Sequence, residues 1–219
     1  MVKSGRARLM SVVDPDKFGK LYDSIQRVFE MMPVGALIAS KILVVHGGIG
    51  QNVWEISDIE AVKRPFKPLG ATMNLASEKI DPVAVDLLWS DPTDEEVGLH
   101  PHAMESFNAK RGVGTKFGIE AVENFCRVND VELIIRAHEC VKSGWKLSCQ
   151  GRVVTVFSAP NYCGTHNNAG AMLEINRDLH IHCKKVLPRS SKGVWLNDVD
   201  ATPPPSDASS VSSTEEQWM

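Results

Sequence analysis

Five short strings hold the residues able to do chemistry in this chain. They are Val45-His46-Gly47-Gly48, Asp86-Leu87-Leu88-Trp89-Ser90-Asp91-Pro92, Arg111-Gly112, Arg136-Ala137-His138-Glu139 and Ser158-Ala159-Pro160-Asn161-Tyr162-Cys163-Gly164. His46, His138 and Tyr162 each follow a short apolar run (42–45, 133–135 and 153–157) that reads as a buried strand. A polar side chain just past the carboxyl end of a buried strand is where open α/β sheets hold ligands. Two histidines, one arginine and one tyrosine in such places suggest a metal ion and an anion sharing one rim.

Each residue taken singly has an ordinary reading as well. His46 precedes two glycines and can aim its imidazole out of the sheet, or simply bond the backbone of a turn. His138 occupies a matching strand end, and the match favours a metal pair. His180 and His182 alternate along a strand and read as a solvated face. Arg111 in a loop can grip a phosphate with two nitrogens, although most loop arginines are surface residues. Tyr162 offers a hydroxyl to an oxyanion or packs beside a turn. Asp86 and Asp91 read as acidic groups on the rim, while Asp91 before Pro92 is also a good turn former.

The elements that must position these residues follow from periodicity. Phe18, Leu21, Ile25, Val28, Phe29 and Met32 recur at three and four, predicting a helix over 17–32 that Pro33 ends. A short helix is expected over 58–62, an irregular stretch over 65–82 and a buried strand over 83–88. A turn-rich loop is expected over 91–111 and a second helix over 118–128. The last third reads as strands over 133–136, 153–158, 169–175 and 179–186, with Asn176-Arg177-Asp178 as a hairpin turn. Residues 1–16 are read as an extension, 17–188 as the folded domain, and 189–219 as a Pro- and Ser-rich acidic tail without structure.

Composition narrows the class. The 219 residues carry a net charge of −3, so the basic footprint of a nucleic-acid surface is missing. No apolar run approaches the roughly 20 residues that span a bilayer, and no membrane partner is expected. Five cysteines without metal-type spacing read as free thiols in a reducing compartment, which makes a cytoplasmic or nuclear location the expectation.

In their order and length the strings resemble one family. Asp86-Leu-Leu-Trp-Ser-Asp-Pro92, Arg136-Ala-His-Glu139, Phe157-Ser-Ala-Pro-Asn-Tyr-Cys-Gly164 and Asn168-Ala-Gly-Ala-Met172 look like the C-terminal half of the metal-dependent serine/threonine phosphoprotein phosphatases. That superfamily includes the type 1, type 2A and calcineurin enzymes. The strings at His46 and His138 are most similar to its Kelch-associated branch of plants and protists. The resemblance covers about 22–188. It implies a mixed α/β fold, a calcineurin-like β-sandwich flanked by helices and present here in its C-terminal portion. It implies a hydrolase of phosphoserine and phosphothreonine with two divalent ions (Mn²⁺, Fe, Zn²⁺ or Mg²⁺), phosphoprotein substrates and phosphatase regulatory subunits as partners. It assigns His46 and His138 as two ligands of one metal, Arg111 as a phosphate-binding arginine, Tyr162 as the tyrosine beside the phosphate and Asp91 as an acidic group of the rim.

Departures from the family pattern set a limit. Its Gly-Asp-x-His-Gly, Gly-Asp-x-Val-Asp-Arg-Gly and Gly-Asn-His-Glu motifs occur nowhere in this sequence, and Ala109-Lys110 replaces the usual Asn-Asp before the loop arginine. The absent motifs supply the remaining metal ligands, the second phosphate arginine and the general-acid histidine. Two imidazoles alone bind hard Mn²⁺ poorly, because such ions want carboxylate oxygens. A fragment of a phosphatase, inactive alone, is therefore expected. The second reading is a noncatalytic interaction protein that binds phosphatase regulators.

Overall fold

The computed structural model describes residues 12–66, 81–95, 107–188 and 217–218, which fall into two compact units. The first comprises Met1–His138 with Ser148–Val153, the second Glu139–Leu147 with Val154–Met219. The architecture is mixed α/β.

In the first unit, α1 spans Pro15–Met31, close to the expected helix. Leu21, Val28, Phe29 and Met32 of its apolar stripe are exposed. Periodicity defines a face able to be buried and says nothing of what covers it. Strand β1 (Gly35–Ile38) turns back through Ala39 and Ser40, both at positive φ, into β2 (Ile42–Val45), the predicted strand. Helix α2 covers Ile56–Glu60, two residues earlier than predicted, because Glu55 and Asp58 form a capping box at its start.

The run expected as a buried strand over 83–88 is instead helix α3, Pro82–Trp89. A short apolar run fits a buried helix as well as a buried strand, and here the start signals decide. Asp81 caps the helix by accepting from the Val83 amide at 3.0 Å, and Pro82 sits at its first position, where a missing N–H costs nothing. Within the expected loop, β3 (Asp91–Pro92) pairs in parallel with β4 (Lys116–Phe117). Helix α4 (Ile119–Asn129) buries Val122, Phe125 and Cys126 and stops at Asp130, whose φ of 53° is left-handed.

Strand β5 (Leu133–Arg136) lies parallel to β2, with Leu43 opposite Ile134 and Val44 opposite Ile135. A core of Leu43, Ile49, Val53, Leu87, Phe117, Val122, Phe125 and Ile134 fixes the carboxyl ends of β2 and β5 together.

The second unit holds β6 (Trp145–Ser148) beside β7 (Val153–Val156) at its boundary, then β8 (Gly170–Ile175) antiparallel to β9 (Ile181–Val186). Asn176 closes the predicted hairpin turn, its side-chain oxygen accepting from the amides of Asp178 and His180. Most of the expected unstructured tail lies outside the described residues. Its Gln217–Trp218 differs from the expectation by forming β10 on the open edge of β9, where unpaired backbone groups accept a short added strand. All five cysteines are free thiols, as their spacing predicted. Among the described residues, no helix is long and apolar enough to cross a membrane.

Candidate metal and phosphate site

His46 and His138 come together because their strands do. The β2–β5 pairing continues one step past the strands, the Ala137 amide donating to the His46 carbonyl at 3.0 Å. His138 then adopts φ 60°, which turns the chain back. Glycines shape the other side. A Cβ on Gly47 would sit 2.6 Å from the Leu88 carbonyl carbon, and one on Gly48 would meet the Phe117 ring at 2.2 Å. Only glycine lets the His46 turn pack this closely on α3 and β4.

His46 Nε2 and His138 Nδ1 face each other at 3.2 Å. The ring centroids are 5.0 Å apart, and the Trp89 ring stands perpendicular to that of His138 with centroids 5.3 Å apart. Partial desolvation, reinforced by the charges of Arg136 and Arg111, holds His46 below its ordinary pKa. Burial and Arg111 push His138 down to about 4. Both rings are therefore neutral near pH 7, the form that ligates metal.

Arg111 is presented by Asp91. Arg111 Nε donates to one carboxylate oxygen at 2.9 Å and Nη2 to the other at 3.4 Å, while Nη2 also lies 3.4 Å from the His138 carbonyl. Asp91 thus occupies one edge of the guanidinium and leaves Nη1 without a protein partner among the described residues. Asp91 also accepts from Arg136 Nη2 at 2.7 Å and Asn108 at 2.8 Å. Burial works to raise its carboxyl, but Arg111, Asn108 and Arg136 together outweigh it and hold the group below its ordinary value.

The expected acidic rim is accordingly not found. Asp91 is buried beneath the arginine it orients, and Asp86 is buried within α3. Asp86 accepts from the Asn52 amide and side chain at 2.9 and 2.8 Å, from Ser90 at 3.0 Å and from Thr115 at 2.9 Å. A carboxylate with so many donors organises loops rather than meeting solvent. Tyr162 belongs to the second unit, at a tight turn where its ring meets the edge of Phe157 at 5.1 Å and lies 5.6 Å from that of His166.

Sequence reasoning gave no part to Arg136, Asn108 and Trp89. Arg136 had a signal: a charge closing the apolar run Leu133-Ile134-Ile135 has to be buried with partners. Asn108 and Trp89 had none beyond proximity in sequence.

The histidine pair can be tested against a metal ion by its spacing. Two nitrogens each about 2.1 Å from one ion, at right or tetrahedral angles, lie roughly 3.0–3.4 Å apart. The observed separation falls in that range, and the buried His138 Nε2 has no hydrogen-bond partner among the described residues. The described residues contain no group of three or more His, Cys, Asp or Glu able to hold a metal. The pair fits an ion as two of its ligands and not as its whole shell.

Residues 10–142 match the calcineurin-like phosphoesterases, and the chain belongs to that metallophosphoesterase family, whose members use divalent metal ions. Among curated proteins it is similar to serine/threonine-protein phosphatase BSL2 of Arabidopsis thaliana, 39% identical over 200 residues. That match covers 84% of this chain and 18% of the relative. It is similar also to the putative serine/threonine-protein phosphatase C06A1.3 of Caenorhabditis elegans, 34% identical over 168 residues, or 77% of this chain and 42% of that one. The matches thus span less than half the length of either relative. Its fold matches a Saccharomyces cerevisiae protein serine/threonine phosphatase with similarity to human phosphatase PP5, at a TM-score of 0.63 and 24% identity. That match covers 80% of this chain and 53% of the yeast one.

Proposed function

We propose that this chain supplies the His46–His138 ligand pair and the Arg111 phosphate contact of a protein serine/threonine phosphatase that hydrolyses phosphoserine and phosphothreonine in proteins. The observation that carries this reading is the convergence of three groups in one unit. Two neutral imidazole nitrogens lie 3.2 Å apart, and beside them stands a guanidinium braced on one edge by Asp91. His46 and His138 would hold a divalent ion, which would supply Lewis-acid polarisation of phosphoryl oxygens and a lowered pKa of bound water. The chain's own residues orient: Arg111 takes up phosphoryl oxygens through its unbraced edge, and Trp89 packs against His138. Tyr162 as the phosphate-side tyrosine, manganese as the ion, phosphatase regulatory subunits as partners and a cytoplasmic or nuclear setting belong to the same proposal.

Titration with Co²⁺, whose visible spectrum reports nitrogen ligation, tests the metal half. Binding is expected in the wild type and its loss in both His46→Ala and His138→Ala; binding indifferent to either change removes the reading. Inorganic phosphate should bind in an Arg111-dependent way. The same protein should leave a phosphopeptide intact with Mn²⁺ present, since the sequence lacks the three motifs that supply the remaining ligands and the general acid. Turnover that disappears in His138→Ala would show that other carboxylates complete the site.

A further inference from the structure

We propose that Arg136 is a positioning residue that sets the metal-ligand turn and the phosphate-binding arginine together. Its side chain is fully buried. Nε donates to the carbonyl of Gly47, the residue directly after His46. Nη2 donates to the Ser90 carbonyl at 3.1 Å, where α3 ends, and to Asp91 Oδ1 at 2.7 Å. Asp91 in turn braces Arg111. Arg136 itself closes β5, two residues before His138. One guanidinium therefore touches, directly or through Asp91, the segments that carry His46, Arg111 and His138.

The geometry explains why the residue is an arginine. Its acceptors lie behind His46, at the end of α3 and on β3, and a planar fork with several fixed N–H groups reaches all of them at once. A lysine ammonium on a flexible stem is a point charge that favours Asp91 and abandons the carbonyls. The charge is also required. Asp91 is shared between Arg111 and Arg136, and with Arg136 gone the carboxylate would be left to Arg111 and Asn108. The Arg136 bridge from the Asp91–Arg111 pair to the Gly47 carbonyl of the His46 turn would then be lost.

The inference rests on the phosphatase-site reading, and its test separates the two. Co²⁺ binding, inorganic phosphate binding (by ³¹P line broadening) and thermal melting are measured on wild type, Arg136→Lys and Asp91→Asn. Arg136→Lys is expected to stay folded with a lowered Tm and to weaken both ligands about tenfold or more, the scale of losing charge-assisted hydrogen bonds. Asp91→Asn leaves the Gly47 and Ser90 contacts in place, so it should weaken phosphate and spare Co²⁺. That selectivity is what general loosening of the fold would not produce.

Folded Arg136→Lys binding both ligands as the wild type does overturns this inference and leaves the site reading intact. So does Asp91→Asn that keeps full phosphate affinity, a result readable even if Arg136→Lys fails to fold. Wild type that binds neither Co²⁺ nor phosphate sinks both.

Discussion

Asp91 answers to two guanidiniums while half-buried His138 stands beside a positive charge, and the two groups respond to acid in the same direction. His138 titrates near 4 in the fold because of its burial and the Arg111 charge, against 6.5 when unperturbed. Between those values the unfolded chain holds a proton that the folded chain does not. Stability of the metal-free protein therefore rises with pH through that window and is lost progressively on acidification from 7 to 4. Asp91, with a lowered carboxyl, contributes stability that is complete above 3.8 and is lost as pH falls through its folded value. Urea unfolding at pH 7, 5.5 and 4 checks this. The slope between 5.5 and 4 should flatten in His138→Gln, and an unchanged slope would assign the acid sensitivity to other groups.

At the scale of elements, α3 carries the lesson. Its apolar run is short, and nothing in its periodicity separates helix from strand; the deciding information lies in Asp81 and Pro82, before the run. The cap makes a prediction. Asp81→Ala leaves the Val83 amide without its acceptor and should cost about 1 kcal/mol, read as a lower urea midpoint at constant slope. No change in midpoint would mean that packing of Leu87 and Ala84 alone sets the helix. The helix also explains which parts of the site were legible. His46, Arg111 and His138 stand out in the sequence because glycines or apolar strand residues border them, and the β2–β5 pairing brings the two histidines together as the strand ends implied. The roles of Asp86 and Asp91 were not legible. Reading 83–88 as a strand made Asp86 a rim group, whereas one helical turn aims it inward at Asn52, Ser90 and Thr115. Arg136 reaches contacts 45 to 89 positions away, a separation that no local pattern encodes.

At the scale of the whole molecule, His46, Arg111 and His138 share a unit with the apolar core around Leu43, Leu87, Phe125 and Ile134, so a ligand they hold acts on the stability of that unit. An ion that binds only the folded form at a hundred times its Kd adds about 2.7 kcal/mol. Thermal unfolding with and without Co²⁺ at pH 7 should show this as an upward shift in Tm. If the two units unfold separately, only the transition that includes His46 and His138 should move. The shift should shrink as pH drops, since protonated imidazoles do not ligate, and should vanish in His46→Ala and in His138→Ala. Other nitrogen and sulfur donors lie in the second unit, His180, His182, Cys163 and Cys183 among them. An equal shift in wild type and both variants would place the ion on such groups, and the paired imidazoles would then be a hydrogen-bonded feature of the fold with no part in metal chemistry.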